Sequence, residues 1–128
     1  MVEKVTTTDA PLNDQLPFSQ AIVHGDTVYV SGQVGVDPET GEVVDGGIGA
    51  ETRQIMENIS AILEAAGTSM DNVVKATVFL DDIDEFDEFN EVYREYLGEP
   101  QPARSAFEVA DLAIDIAVEI EVIAAIEE

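Results

Sequence analysis

Several strand-like segments of this chain carry apolar residues on both faces. Val28-Tyr29-Val30 and Val122-Ile123-Ala124-Ala125-Ile126 are two of them. Because a β-strand sends successive side chains to opposite faces of a sheet, an apolar sequence of this kind needs cover on both sides. The sheet must therefore receive one layer from its own helices and a second layer from elsewhere.

Helical periodicity is found in two segments, residues 50–66 and 84–97. Their apolar residues recur at spacings of three and four, and Gly67 and Gly98 follow as helix stops. The remaining apolar segments are short and rich in β-branched residues, so the order is ββαβαββ, with one more short strand expected over residues 5–8. We predict a single α+β domain over residues 1–128, with two helices on one face of a sheet. The second face is then predicted to be covered by other subunits, in an obligate oligomer.

Three local signals refine the strands. His24-Gly25-Asp26 is typical of a hairpin turn, and the segment from Asp37 to Gly41 is also typical of a turn. Gly32 lies inside a strand, which indicates a bulge or the close approach of a ligand. The strand over residues 72–80 is predicted to place Val74 on the same face as Ala76, and Val73 on the opposite face.

Charge separates the candidate function classes. The chain has 28 acidic and 5 basic residues, a net charge of −23, which opposes binding to a nucleic-acid backbone. Self-repulsion of this size is screened at about 1 M salt, where the Debye length is about 3 Å. We interpret the composition as that of a protein from a high-salt cytosol, as in a halophile; an ordinary acidic protein is the alternative.

Cysteine is absent, and the only histidine is His24, in the predicted hairpin turn. These counts leave no disulfide, thiolate metal site or cysteine nucleophile, and they disfavour zinc and triad chemistry, so we predict no metal. The N-terminus has no signal-peptide pattern, and no apolar run approaches the ~20 residues of a membrane span. We expect a cytoplasmic protein without a membrane partner.

Charged residues inside the two C-terminal strands are the candidate functional groups. Arg104 lies in one strand, and Glu119 and Glu121 lie in the other, between apolar neighbours. Charges at such positions are often functional; the alternative is that Arg104 neutralises a nearby acid while Glu119 and Glu121 line a solvated face. Alternation places the two glutamates on the same face, so spacing alone does not separate their roles.

These same residues carry a resemblance to a known family. Pro102-Ala103-Arg104-Ser105 and Glu119-Ile120-Glu121 resemble the C-terminal signature of the reactive intermediate deaminase family (RidA/YjgF). Further matches follow in order along nearly the whole chain: Pro17-Phe18-Ser19-Gln20, Val30-Ser31-Gly32-Gln33, Asp37-Pro38-Glu39-Thr40-Gly41, Lys75-Ala76-Thr77-Val78-Phe79 and Asn90-Glu91-Val92-Tyr93.

The resemblance implies a chorismate-mutase-like fold, a homotrimer with clefts between subunits, and hydrolysis of 2-imino acids to 2-keto acids and ammonia without a cofactor. By position, Arg104 would hold the substrate carboxylate and Glu119 would orient or activate water. The pocket would be lined by Phe18, Ser31, Gly32, Asn90 and Ala106.

The sequence departs from the family pattern at three positions. Phe18 replaces the usual tyrosine, Leu16 replaces a frequent glycine, and Ala106 stands where some members carry a reactive cysteine. The alternative function is a non-catalytic trimeric binder or regulator of small molecules. RNA cleavage and chorismate mutase activity rank lower, because the chain has so few basic residues.

Overall fold

The computed structural model of the protein describes residues 1–127 and contains six strands and two α-helices. The elements are β1 (Val2–Val5), β2 (Ala21–His24), β3 (Thr27–Gln33), α1 (Gly47–Ala65), β4 (Val73–Leu80), α2 (Phe86–Tyr93), β5 (Ala103–Glu108) and β6 (Val118–Ala125). The predicted α+β class is confirmed. The strand expected over residues 5–8 lies at Val2–Val5 instead, where it extends the predicted ββαβαββ order at the N-terminus.

All six strands form one mixed sheet in the order β1-β2-β3-β6-β4-β5. Neighbouring strands are antiparallel, except that β4 and β5 run parallel. The predicted β2–β3 hairpin is present, with His24 opposite Thr27. Gly25 has φ 64° at the first central position of its two-residue turn, the position that favours glycine in a type II′ turn.

Both helices pack on one face of the sheet and close a single hydrophobic core. The buried stripe of α1 includes Ile55, Ile59 and Ile62, as its periodicity predicts. The helix begins three residues earlier than expected, because Gly46 and Gly47 take positive φ angles of 119° and 79° that lead the chain into its first turn. Glycine is a poor helix former, so the sequence pattern does not reveal this start.

A bulge in β4 reverses one of the predictions. Val73 pairs with Ala124 of β6 and Lys75 pairs with Ile123, so the register shifts between them. Val73, not Val74, is therefore buried on the face of Ala76, and Val74 is half-exposed. From Ala76 to Leu80 the predicted alternation holds.

The face of the sheet that the helices do not cover is called here the outer face. Tyr29 and Phe107 are exposed on it, with Phe79 and Ile123 partly buried. Phe79 and Phe107 pack edge to face, with ring centroids 5.3 Å apart. Within residues 1–127, no helix combines the length and apolar character needed to cross a bilayer.

Candidate active site

Arg104 lies on the helix-facing side of β5, opposite the buried Ala76 of β4. Its guanidinium carbon is 4.9 Å from the centre of the Tyr93 ring, and the rings of Phe86 and Phe89 lie at 5.4 and 5.8 Å. Its Nη1 donates a hydrogen bond of 2.7 Å to Asn90 Oδ1. Cation–π contact and this hydrogen bond fix the guanidinium against α2.

A cavity of about 590 Å³ opens beside this guanidinium. Arg104, Asn90, Tyr93 and Pro102 help to line it. Ala106 follows Arg104 by two residues on the same face of β5 and is partly buried against the core. We refer to Arg104, Asn90 and Ala106 as the arginine cluster.

The hydroxyl of Tyr93 adds a neutral donor next to this cluster. It is buried and has no hydrogen-bond partner within the described part of the chain. Burial raises the pKa of Tyr93, and the positive charge of Arg104 opposes that rise. The phenol therefore keeps its proton at neutral pH.

Glu119 lies on the outer face, in β6, opposite Phe79 of β4. A bulge in β3 sets its surroundings: Val30 pairs with Val122 and Gln33 with Ile120, which leaves Ser31 and Gly32 in the irregular stretch between. A Cβ at position 32 would overlap Glu119 Oε2 and lie 2.9 Å from its Cδ. The predicted bulge is thus present, and the group that closely approaches Gly32 is the Glu119 carboxylate.

The environment of Glu119 differs from that of Glu121. Glu119 is half-buried, and burial followed by the negative charge of Glu121 raises the pKa of its carboxyl group. No hydrogen bond or ion pair from residues 1–127 reaches this carboxylate. Glu121 is exposed. The two glutamates therefore differ in burial, which their spacing in the sequence does not reveal.

Ser31 and Phe18 belong to the surroundings of Gly32, which lies against Glu119. Ser31 Oγ donates a hydrogen bond of 2.6 Å to the carbonyl oxygen of Ser19, and Ser31 N donates to Gln20 O at 3.0 Å. The Ser31 proton is therefore already used to hold the segment that carries Phe18. Phe18 and Gly32 line a second cavity, of about 500 Å³. We refer to Glu119, Gly32, Ser31 and Phe18 as the carboxylate cluster.

The two clusters lie on opposite faces of one sheet. Arg104 aligns with Ala76, which faces the helices, and Glu119 aligns with Phe79, which faces outward. All seven sequence-predicted site residues therefore fall in two compact groups, but a single subunit does not bring those groups together.

Two features of the site are not evident from the sequence: the aromatic rings that contact Arg104, and one buried carboxylate. The apolar periodicity over residues 84–97 predicts that Phe86, Phe89 and Tyr93 face the core, but it does not reveal their contact with the guanidinium. Glu51 is buried on α1 and accepts a hydrogen bond of 2.9 Å from Ala117 N, just before β6 begins. Its spacing of four residues from Ile55 extends the apolar stripe of α1, a signal that could have indicated its burial.

Three influences act on the pKa of Glu51, and they do not all act in the same direction. Burial raises the pKa of its carboxyl group, the hydrogen bond from Ala117 lowers it, and the charge of Asp115 raises it. Glu51 fixes the start of the strand that carries Glu119. Among the described residues, no three or more His, Asp or Glu side chains are grouped to hold a metal ion.

The chain is similar to known proteins both in sequence and in structure. The family model described as endoribonuclease L-PSP matches residues 7–126. A RutC family protein from Pyrococcus horikoshii is 51% identical over 97% of this chain and 98% of its own length. The 2-iminobutanoate/2-iminopropanoate deaminase of Bos taurus is 45% identical over 97% of this chain and 90% of its own. The crystal structure of RidA from the Antarctic bacterium Psychrobacter superposes with a TM-score of 0.92 at 47% identity, covering 97% and 99% of the two chains.

Proposed function

Since the chain belongs to the endoribonuclease L-PSP (RidA/YjgF) family, we propose that it hydrolyses 2-imino acids to 2-keto acids and ammonia. The observation that carries the proposal is the half-buried carboxylate of Glu119, which has a raised pKa and no partner in its own subunit. A general base works best when its pKa lies near the operating pH, so this environment suits a residue that activates water.

The reaction needs few protein groups. Arg104 binds the substrate carboxylate through its planar guanidinium, which fixes orientation as well as charge. Glu119 takes a proton from water as the oxygen adds to the C=N carbon, giving a tetrahedral intermediate. That proton then passes to the nitrogen. As the C–N bond breaks, the hydroxyl of the intermediate gives its own proton, through Glu119, to the departing nitrogen, so that ammonia leaves and the C=O bond of the keto acid forms.

Assembly follows from the separation of the clusters. Because Arg104 and Glu119 face opposite sides of one sheet, a complete site needs the arginine cluster of one subunit and the carboxylate cluster of another. We propose a homotrimer with its sites between subunits and with the apolar outer face buried in the assembly. Analytical ultracentrifugation in concentrated KCl tests this, and a stable monomer would contradict it.

A coupled assay tests the activity. A pyridoxal-phosphate-dependent threonine dehydratase releases the four-carbon imine, semicarbazide traps it, and active protein lowers the trapping rate. Glu119→Gln should reduce turnover by about 10²–10⁴-fold, the typical contribution of a general base. Glu121→Gln is the matched control on the same strand face and should retain most of the activity. Equal losses in the two variants would refute the assignment of Glu119.

The second candidate is a non-catalytic binder of small carboxylates. Phe18 favours it, because the entrance ring carries no hydroxyl to place water. Such a protein would bind 2-keto acids through Arg104 but leave semicarbazide trapping unchanged. We do not extend the endoribonuclease description to this chain, since 28 acidic against 5 basic residues repel a phosphate backbone.

A further inference from the structure

We propose that the cavity next to Glu119 receives the hydrocarbon side chain of the substrate, so that this protein prefers imino acids with longer apolar side chains than the three- and four-carbon compounds. The inference rests on the proposed function. The cavity has a volume of about 500 Å³, within the range of small-molecule sites, and Gly32 belongs to its wall. The Glu119 carboxylate lies against Gly32, so this glycine connects the cavity wall to the carboxylate cluster.

The geometry of an imino acid leaves one substituent for this space. Its reacting carbon carries a carboxylate, a nitrogen and a side chain. Arg104 takes the carboxylate, while Glu119 serves the nitrogen and the attacking water. The side chain is the group that remains, and the cavity beside Gly32 is the space that adjoins the carboxylate cluster.

The walls of the cavity combine polar side chains, among them Lys4, Asn13 and Asp14, with large apolar ones. Leu12, Leu16, Phe18 and Ile114 all line it, and each exposes between 41% and 58% of its surface. Four of the large apolar side chains left exposed by the fold therefore converge on one cavity. Exposed apolar residues that cluster in this way mark a binding site more often than isolated ones do.

Of the two buried polar side chains in the wall, Gln20 and Gln33, Gln20 does not compete for a ligand. Gln20 is almost fully buried, and its amide is already used: Oε1 accepts from Thr7 N at 2.8 Å, and Nε2 donates to Thr7 O at 3.0 Å and Pro11 O at 2.8 Å. These bonds hold the loop that supplies Leu12. The amide of Gln20 is therefore not free to bind a polar side chain of a substrate.

The test is a chain-length series. An L-amino-acid oxidase generates the unbranched 2-imino acids of three to six carbons, and semicarbazide trapping gives kcat/KM for each. Burial of one methylene changes binding by about fourfold, so kcat/KM should rise about 60-fold across the three added methylenes. The imino acid derived from glutamine, of similar length but polar, should be a poor substrate.

A matched pair of variants locates the effect. Ile114→Ser places a hydroxyl in the cavity wall and should reduce the dependence on chain length. Ile83→Ser replaces the same residue type at similar exposure, away from the cavity, and should leave the series unchanged. Thermal denaturation verifies that both variants remain folded.

Each outcome decides the question. A rising series that Ile114→Ser flattens supports the inference, and a flat or falling series in an active protein overturns it while the proposed function stands. If no imino acid is hydrolysed, the proposed function fails. Calorimetric titration with 2-keto acids of the same lengths then tests whether the cavity binds the hydrocarbon side chain. Affinity that increases with length would support it, and equal affinity would overturn it.

Discussion

Substitution of Gly32 by alanine should inactivate the protein without unfolding it. An added Cβ would lie 2.9 Å from Glu119 Cδ and 3.2 Å from its Cγ, whereas non-bonded carbons prefer about 3.5–4.0 Å. The carboxylate must therefore retreat by about 1 Å. A catalytic group displaced by this distance costs about 10²-fold in rate, so we expect kcat to fall by about that factor.

The effect on stability should be small for two reasons. Gly32 does not have a positive φ, so alanine fits the backbone and lowers the entropy of the unfolded chain, which stabilises by about 0.4–1 kcal/mol. Moving a flexible glutamate away from its preferred rotamer costs about 0.5–1.5 kcal/mol, which offsets that gain. The free energy of unfolding, measured by urea denaturation, should therefore change by less than about 1 kcal/mol.

Semicarbazide trapping measures the rate, and two further variants complete the design. Gly98→Ala is the control, because no atom lies within 4 Å of its added Cβ and its φ is not positive. Gly32→Ala combined with Glu119→Gln should be no slower than Glu119→Gln alone, since both changes act through one carboxylate. Unchanged kcat in Gly32→Ala, or additive losses in the double variant, would refute the role of this contact.

Three further predictions concern binding, pH and salt. Arg104→Lys keeps the charge but loses the paired hydrogen bonds, so KM should rise more than kcat falls; a selective loss of kcat would contradict the binding role. The pKa of Glu119 in the folded protein is raised above its usual value of 4.5. At a pH above this raised pKa, the charged carboxylate therefore lowers the free energy of unfolding. This destabilisation disappears as the pH falls below 4.5, because Glu119 is then protonated in both the folded and the unfolded states. Glu119→Gln should therefore melt at a higher temperature than the parent at neutral pH but not below pH 4.5, and the parent's kcat/KM should fall as acid protonates Glu119. Screening of the net charge of −23 should raise the melting temperature between about 0.1 and 3 M KCl, and equal melting temperatures would argue against adaptation to high salt.

The sequence predicts well those features that depend on local periodicity. The stripe of α1, the β2–β3 hairpin and the core residues of α2 all follow from side-chain spacing and turn chemistry. Val74 could not be placed correctly, because the bulge opposite β6 depends on pairing between strands that are far apart in the chain. The early start of α1 could not be predicted for a different reason. It depends on the positive φ angles of Gly46 and Gly47, which glycine permits but does not require.

The candidate site shows the same division between local and non-local information. Arg104 and Glu119 stand out in the sequence as charges within apolar strands. Their positions on opposite faces could not be predicted, because β4 lies between their two strands. The register of β4 with β5 and with β6 determines which face each side chain occupies. The contact of Arg104 with Tyr93 likewise depends on how α2 packs over the end of β5.

The opposite-face arrangement of Arg104 and Glu119 also has a genetic consequence. In the proposed ring of three subunits, each junction combines the arginine of one chain with the carboxylate of the next. A cell with one allele defective at Arg104 and another defective at Glu119 would assemble mixed rings, and one junction in each mixed ring would join the two intact halves. Two alleles that are inactive alone would then complement each other, which no site contained within one chain allows.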